Sequence, residues 1–284
     1  MYFWKRRWFR TLPAYYLVLI LNLLFLQMGW IDGKLEHFNW KFLFFLQNFN
    51  DGFTDFFWES WSLSIEEWFY IITPICFLLF NRFSNSRHTK FSTLAAILVI
   101  LTGPLVYRFL ISDISVDAFW FDVKFRKVVI TRLDAIMFGV LFAWLKYYYS
   151  SWFQKIKWPG LIVGSLMLYF AKGNYAIDQA ALFTKVWYFS LTGLGAALLL
   201  PAADSWKYAH GTAAKLVTHV SLISYSMYLI NLGLVAQVIG KHFMPTTNTL
   251  SVATYFLYWF IVITGSHILY KFFEKPMTEL RDKF

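Results

Sequence analysis

Charge of either sign is scarce in this chain: 15% of its 284 residues are Asp, Glu, Lys or Arg, while 58% are hydrophobic. Soluble domains carry nearer a quarter of charged residues, so an ordinary water-soluble fold is excluded and a membrane protein is expected. Cysteine is almost absent. The single Cys76 cannot close an internal disulfide and lacks the partners of a metal-ligand spacing. Acidic residues are outnumbered 16 to 26 by Lys and Arg, for a formal net charge of +10. The basic residues lie between apolar runs rather than on one face, so the expected counterpart is an anionic membrane surface and not nucleic acid. Also lacking is a small-residue cleavage site after the basic opening "YFWKRRWFR", so an uncleaved start is expected. No linker, low-complexity tract or internal repeat divides the chain, which reads as a single domain over residues 1–284.

What the chain has instead is apolar runs of membrane length. A hydrocarbon core of about 30 Å is crossed by roughly 20 helical residues. Candidate spans centre on Leu12 to Gly29, Trp61 to Phe80, Thr93 to Ile111, Leu133 to Tyr149, Gly160 to Lys172, Val186 to Pro201, Leu216 to Ile239 and Leu250 to Tyr270. They predict an all-α, polytopic membrane helical bundle of about eight transmembrane helices, the fifth of them short. With the N-terminus inside, 16 of the 26 Lys and Arg residues fall in inner loops. That asymmetry favours a multi-pass cell-membrane protein with both termini cytoplasmic, against the opposing cluster Lys124, Arg126, Lys127 and Arg132. Between Asp32 and Glu59 an aromatic-rich stretch containing "WKFLFFLQNF" reads as a loop with an interfacial helix.

Against this background certain polar residues stand out. Burying a carboxylate in hydrocarbon costs several kcal/mol, which makes an intramembrane acid a functional candidate. In "WSLSIEEWFY", Glu66 and Glu67 open the second span. Ser62, Glu66 and Phe69 share one helix face, and Leu63, Glu67, Tyr70 and Ile71 lie about 100° away, so the two acids need not share an environment. Both can equally be negative charge in the first turns of a helix, near its aqueous mouth. In "TRLDAIMFG", Arg132 and Asp134 project about 200° apart and are poorly placed to neutralise one another; each needs another partner. Arg132 can pair with Glu66 or Glu67, hold a substrate phosphate or carboxylate, or snorkel at the interface, with Asp134 at a helix start.

Thr218, Ser221, Ser224, Tyr228 and Asn231 recur at helical steps on one face of the seventh span. Such a stripe can bind a polyol or cofactor, or knit helices together. In "KRRWFRTLP", Lys5, Arg6, Arg7 and Arg10 serve as topological anchors, while Arg7 and Arg10 share a face and the three guanidinium groups can also grip a nucleotide phosphate. Of six histidines, only His219 and His267 fall within spans, and no pair has ligand spacing on one helix, so no metal is expected.

Taken in order, "RRWFRTLPAYY", "LFFLQNF", "WSLSIEEWFYIITP", "RLDAIMFG", "SYSMYLI" and "YKFFEKPM" resemble the acyltransferase 3 family of integral-membrane O-acyltransferases, over essentially the whole chain. The Trp-Ser-Leu-Ser-x-Glu-Glu-x-Phe-Tyr segment is the most specific element. The resemblance implies transfer of an acyl group, often acetyl from acetyl-coenzyme A, to a hydroxyl of a carbohydrate or related envelope acceptor. It implies no permanently bound cofactor, with acyl-coenzyme A as donor and a carbohydrate or glycolipid as acceptor. Residue by residue, it places Arg7 and Arg10 with the coenzyme, where Arg6 joins them as the third guanidinium group of the opening, and Glu66, Glu67, Arg132 and Asp134 in the catalytic constellation. Ser224, Tyr228 and Asn231 remain the substrate-binding candidates from the polar stripe. Asn231 stands where the family commonly has His, so that position carries no proton-transfer role.

The family typically has ten helices, the first carrying an Arg and a His regarded as the catalytic base. This chain begins at the family's basic segment, which implies that it is truncated by two helices and retains little or no turnover alone. The competing class is a transporter or flippase of a polar envelope substrate, in which intramembrane Glu, Arg and hydroxyls line a passage. Interrupted helices in matching halves would mark it, and the sequence shows no such symmetry.

Overall fold

Each of the eight apolar runs is helical in the computed structural model, which describes residues 2–52, 56–82, 89–178, 180–206, 210–243 and 248–281. Helix α1 covers Tyr2–Gln27, taking in the basic opening as well as the apolar run, since Lys and Arg are good helix formers. Helix α2 covers Ser60–Arg82 and α3 Thr89–Leu110. Pro13, Pro74 and Pro104 sit inside these three helices, a placement tolerated where neighbours and local adjustment satisfy the freed carbonyls. The short α4, Ala118–Phe121, is capped by Asp117, whose carboxylate accepts the Trp120 N–H at 2.8 Å.

Helices α5 (Leu133–Tyr148), α6 (Ser150–Lys155) and α7 (Lys157–Ile177) follow. The sixth run is divided among α8 (Leu182–Val186), α9 (Tyr188–Leu198) and α10 (Leu200–Asp204). The seventh joins α11 (Thr212–Ile230) to α12 (Gln237–His242) through a wide π-type turn at Asn231–Ala236. The last joins α13 (Asn248–Leu269) to α14 (Lys275–Leu280) through a second such turn at Tyr270–Glu274. There is no strand among the described residues. Among the described residues five stretches are long and apolar enough to cross a membrane: Phe3–Gln27, Ser60–Arg82, Thr89–Leu110, Thr212–His242 and Leu250–Leu280. Large apolar side chains such as Leu78, Leu110, Tyr169 and Phe256 lie exposed along the helices, a surface suited to lipid rather than water.

The aromatic stretch does not form the interfacial helix expected over "WKFLFFLQNF". A 3₁₀ turn over Trp40–Phe44 is cut short by Phe45, whose φ of 57° lies in the left-handed region and cannot continue it. Gln47 and Asn48 then turn inward, and Gln47 Nε2 donates to Ser64 Oγ at 2.7 Å. Residues 53–55 of this stretch lie outside the described residues.

The chain divides into two compact units, both discontinuous in sequence. The first comprises Met1–Phe44, Thr54–Ser60 and Ala209–Phe284. Its core includes Tyr15, which stacks on Phe57 at 5.5 Å and donates its hydroxyl to the Phe42 carbonyl at 2.9 Å. The second comprises Phe45–Phe53 and Trp61–Tyr208. Its main core gathers Ile65, Phe69, Ile97, Ile100, Val129 and Met137, against which Cys76 packs half-buried. Within it, α7 meets α9 along a seam of glycines: a Cβ on Gly164 would lie 2.6 Å from the Gly195 carbonyl oxygen, and one on Gly160 would lie 2.7 Å from that of Leu198. Small residues let two backbones approach this closely, the device of packed membrane helices.

Candidate functional site

In the first unit, the opening turns of α1 place Arg6, Arg7 and Arg10 around one pocket of about 390 Å³, together with Phe3 and with Arg281 from the end of the chain. Helical steps of three and four bring such side chains to one side. Four guanidinium groups on a single pocket make an anion site, because each presents a planar fork of donors that fits two oxygens of a phosphate or carboxylate. Beside it, Glu274 is buried; it accepts the Ser226 hydroxyl at 2.7 Å and feels the charge of Arg10. Arg281 and Glu274 were not singled out by sequence reasoning, although Glu274 lies within the quoted "YKFFEKPM".

The polar stripe is resolved into separate roles. Helix α11 turns Ile223, Ser226, Leu229 and Ile230 inward, leaving Ser221 and Ser224 exposed. The expected inward face is therefore displaced to Ser226. The Ser224 hydroxyl donates to the Ser221 carbonyl at 2.8 Å, and Asn231 Nδ2 donates to the Met227 and Tyr228 carbonyls at 2.9 and 3.1 Å, so both bond along their own helix. Tyr228 reaches further: its hydroxyl donates to the Glu59 carbonyl at 2.8 Å. The rings of His219 on α11 and His267 on α13 approach to 5.2 Å between centroids, a juxtaposition of two helices that spacing on one helix could not disclose. Among the described residues no group of three or more His, Cys, Asp or Glu is placed to hold a metal.

In the second unit, the acids of α2 occupy different surroundings. Glu67 is 4% exposed. Glu66 is half-buried, and its Oε1 accepts the Tyr70 hydroxyl at 2.5 Å. The Tyr70 hydroxyl thus serves Glu66, four residues earlier.

Asp134 has a partner in Arg108 of α3. Arg108 Nη1 and Nη2 donate to its two carboxylate oxygens at 3.0 and 2.8 Å, and both side chains are fully buried. The remaining donors of Arg108 are taken by the carbonyls of Thr131 and of Val186 (2.9 Å) and by Ser190 Oγ (2.7 Å). The Ser190 hydroxyl in turn donates to Asp134 Oδ2 at 2.6 Å. Asp134 thus belongs to a saturated internal network, while Arg132 at the start of α5 lies over the Phe189 ring, 4.2 Å from its centroid. Arg108 addresses the same ring at 5.6 Å. Burial lowers the Arg132 pKa to about 10, with Asp134 opposing that shift and Arg108 and Arg126 adding to it. It is still a cation at neutral pH. Among the described residues its buried Nε has no hydrogen-bond partner, so it retains a donor for an incoming anion.

No curated protein and no solved structure matches this chain. A family model described as an acyltransferase domain, that of acyltransferase 3, matches residues 1–271, nearly the whole length, from α1 through α13. Helices long enough to cross a membrane, a pocket ringed by guanidinium groups and this match agree: the chain belongs to the acyltransferase 3 family.

Proposed function

We propose that this membrane acyltransferase moves an acyl group, acetyl in the simplest case, from acyl-coenzyme A to a hydroxyl of a cell-envelope carbohydrate or related acceptor. The observation that carries the donor assignment is the pocket formed by Arg6, Arg7, Arg10 and Arg281. Coenzyme A presents phosphates, and charge-assisted bidentate bonds to guanidinium groups are the strongest polar contacts available for them. Both termini then lie on the cytoplasmic side of a multi-pass protein, where acyl-coenzyme A is found and where the basic residues of α1 are expected.

In the transfer itself the acceptor oxygen attacks the thioester carbonyl, a C–O bond forms, the C–S bond breaks, and the hydroxyl proton passes to a base. Glu66 and Glu67 are our candidates to receive or orient that proton. Arg132 is the candidate to face negative charge, and Asp134, through Arg108, fixes the start of α5 from which Arg132 projects. Tyr228, Ser224 and Asn231 are offered to the acceptor.

The donor reading predicts that Arg7→Ala/Arg10→Ala in the purified full chain weakens acetyl-coenzyme A binding by about tenfold or more, since each bond to a charged group contributes about 1.5–3 kcal/mol. Equilibrium dialysis with labelled acetyl-coenzyme A measures this without requiring turnover. Affinity unchanged by the double substitution, or equal for desulfo-coenzyme A and a phosphate-free pantetheine thioester, would remove the assignment.

A further inference from the structure

One buried acid lies outside every role above. Glu59 precedes α2 by one residue and is 1% exposed. Its Oε1 accepts two backbone donors from the wide turn after α11, the N–H of Leu232 at 2.9 Å and that of Gly233. Its Oε2 is buried and has no donor among the described residues. Asn22, fully buried on α1, is in the same condition: its Nδ2 donates to the Val18 carbonyl at 2.9 Å, and its Oδ1 is buried with no donor.

These two orphaned oxygens face the same small space. A Cβ built on Gly233 would lie 2.8 Å from Asn22 Oδ1 and 3.1 Å from Glu59 Oε2. Two buried acceptors that both border the space beside Gly233, each without a donor, would cost free energy unless something electropositive joined them. Among the described residues the surrounding elements bring no cation to this space. α1 offers the neutral Asn22, the wide turn only backbone, α11 the Tyr228 hydroxyl already given to the Glu59 carbonyl, and α13 Tyr258, which feels the Glu59 charge. Among the described residues no Lys, Arg or His charge offsets the burial.

We propose that Glu59 and Asn22 form a buried proton-binding site, in which the protonated Glu59 donates from Oε2 to Asn22 Oδ1. A single proton satisfies both acceptors and neutralises the charge, while Oε1 stays on the Leu232 and Gly233 N–H groups. Burial raises the Glu59 pKa from 4.5 to about 7, against the lowering pull of those backbone donors. Because folding raises this pKa, the folded state binds the proton more tightly than the unfolded one. The stabilisation is complete below pH 4.5 and is lost as pH climbs through about 7. The site stands apart from the acyl-donor assignment and would exist whichever donor the enzyme uses.

The test uses the full chain in lipid nanodiscs. Infrared difference spectra between about pH 5 and about pH 9 should show a protonated-carboxyl band that bleaches on the alkaline side. Glu59→Gln should abolish that band, and Asn22→Leu, which removes the acceptor, should shift it to higher frequency. The thermal midpoint of the wild type should fall over the same range, with a shallower slope in Glu59→Gln. A band and slope that survive Glu59→Gln, or a band unmoved by Asn22→Leu, would overturn the proposal. So would an alkaline midpoint raised by sodium but not by a bulky organic cation, in the wild type and not in Glu59→Gln, because the joining charge would then be a metal ion. Should Glu59→Gln fail to fold, the wild-type band and its response to Asn22→Leu decide the matter.

Discussion

Asp134→Ala is expected to destabilise the second unit by about 3–5 kcal/mol, the cost of leaving a buried charge without its counter-ion. Arg108 is wholly inaccessible, and every donor direction of its guanidinium is used: by Asp134, Ser190, and the Thr131 and Val186 carbonyls. Removing the carboxylate leaves a cation facing carbonyls, one hydroxyl and the Phe189 ring, with no water to solvate it. The pair Arg108→Met/Asp134→Leu should recover much of that loss, since an apolar pair of similar volume is often no worse than a buried ion pair. Thermal and detergent-titrated unfolding of the four members of the cycle measures the effect. A single Asp134→Ala change within about 0.5 kcal/mol of the wild type would show that α3 and α5 do not depend on this pair.

Gly164→Val is expected to force α7 away from α9. The obstacle is the Gly195 carbonyl, with Leu198 Cβ at 3.0 Å behind it, and a helix carbonyl cannot yield without moving its helix. Overpacking of this kind costs about 1–3 kcal/mol at one site, and Gly160→Val adds a second clash one turn earlier. Gly173, on the same helix, has nothing within 4 Å of its would-be Cβ. Gly173→Ala should therefore be neutral or stabilising by up to about 1 kcal/mol, through the gain in helix propensity. Melting temperatures of the three variants in one detergent provide the comparison. Equal losses at Gly164 and Gly173 would mean that backbone flexibility, rather than the seam, matters.

The helices were legible because a membrane span announces itself by length and apolar content, both local properties of the chain. The polar architecture was less so, because partners lie far apart in sequence. The spacing of Arg132 and Asp134 shows that they cannot pair with each other, but Arg108 stands in "YRFL" at the end of a span, where a basic residue reads as an interfacial anchor. Only the packing of α3 on α5 shows that it points inward. Asn22 is one amide inside an apolar run, and Glu59 sits two residues before the Trp61–Tyr70 motif, so neither has a periodicity to reveal it. The seam at Gly160 and Gly164 did have its spacing written in "PGLIVGS", yet which helix it would meet depended on topology. The hydroxyl stripe shows the opposite failure. A regular step placed Ser224 and Tyr228 on one face, but the widening of the helix at Asn231–Ala236 and the packing of Ile223 and Ser226 turned α11 so that only part of that face is enclosed.

That widened stretch carries a consequence for how the sequence can change in length. Losing one residue from an ordinary part of α11 would rotate everything beyond it by about 100° and scramble the contacts of α12. A π-type turn already holds a surplus residue, so excision there would let an uninterrupted α-helix re-form with both flanks keeping their orientation. Single-residue insertions and deletions among relatives should therefore collect at 231–236. A shortened relative, deprived of the amides that face residue 59, should carry an uncharged side chain at that position.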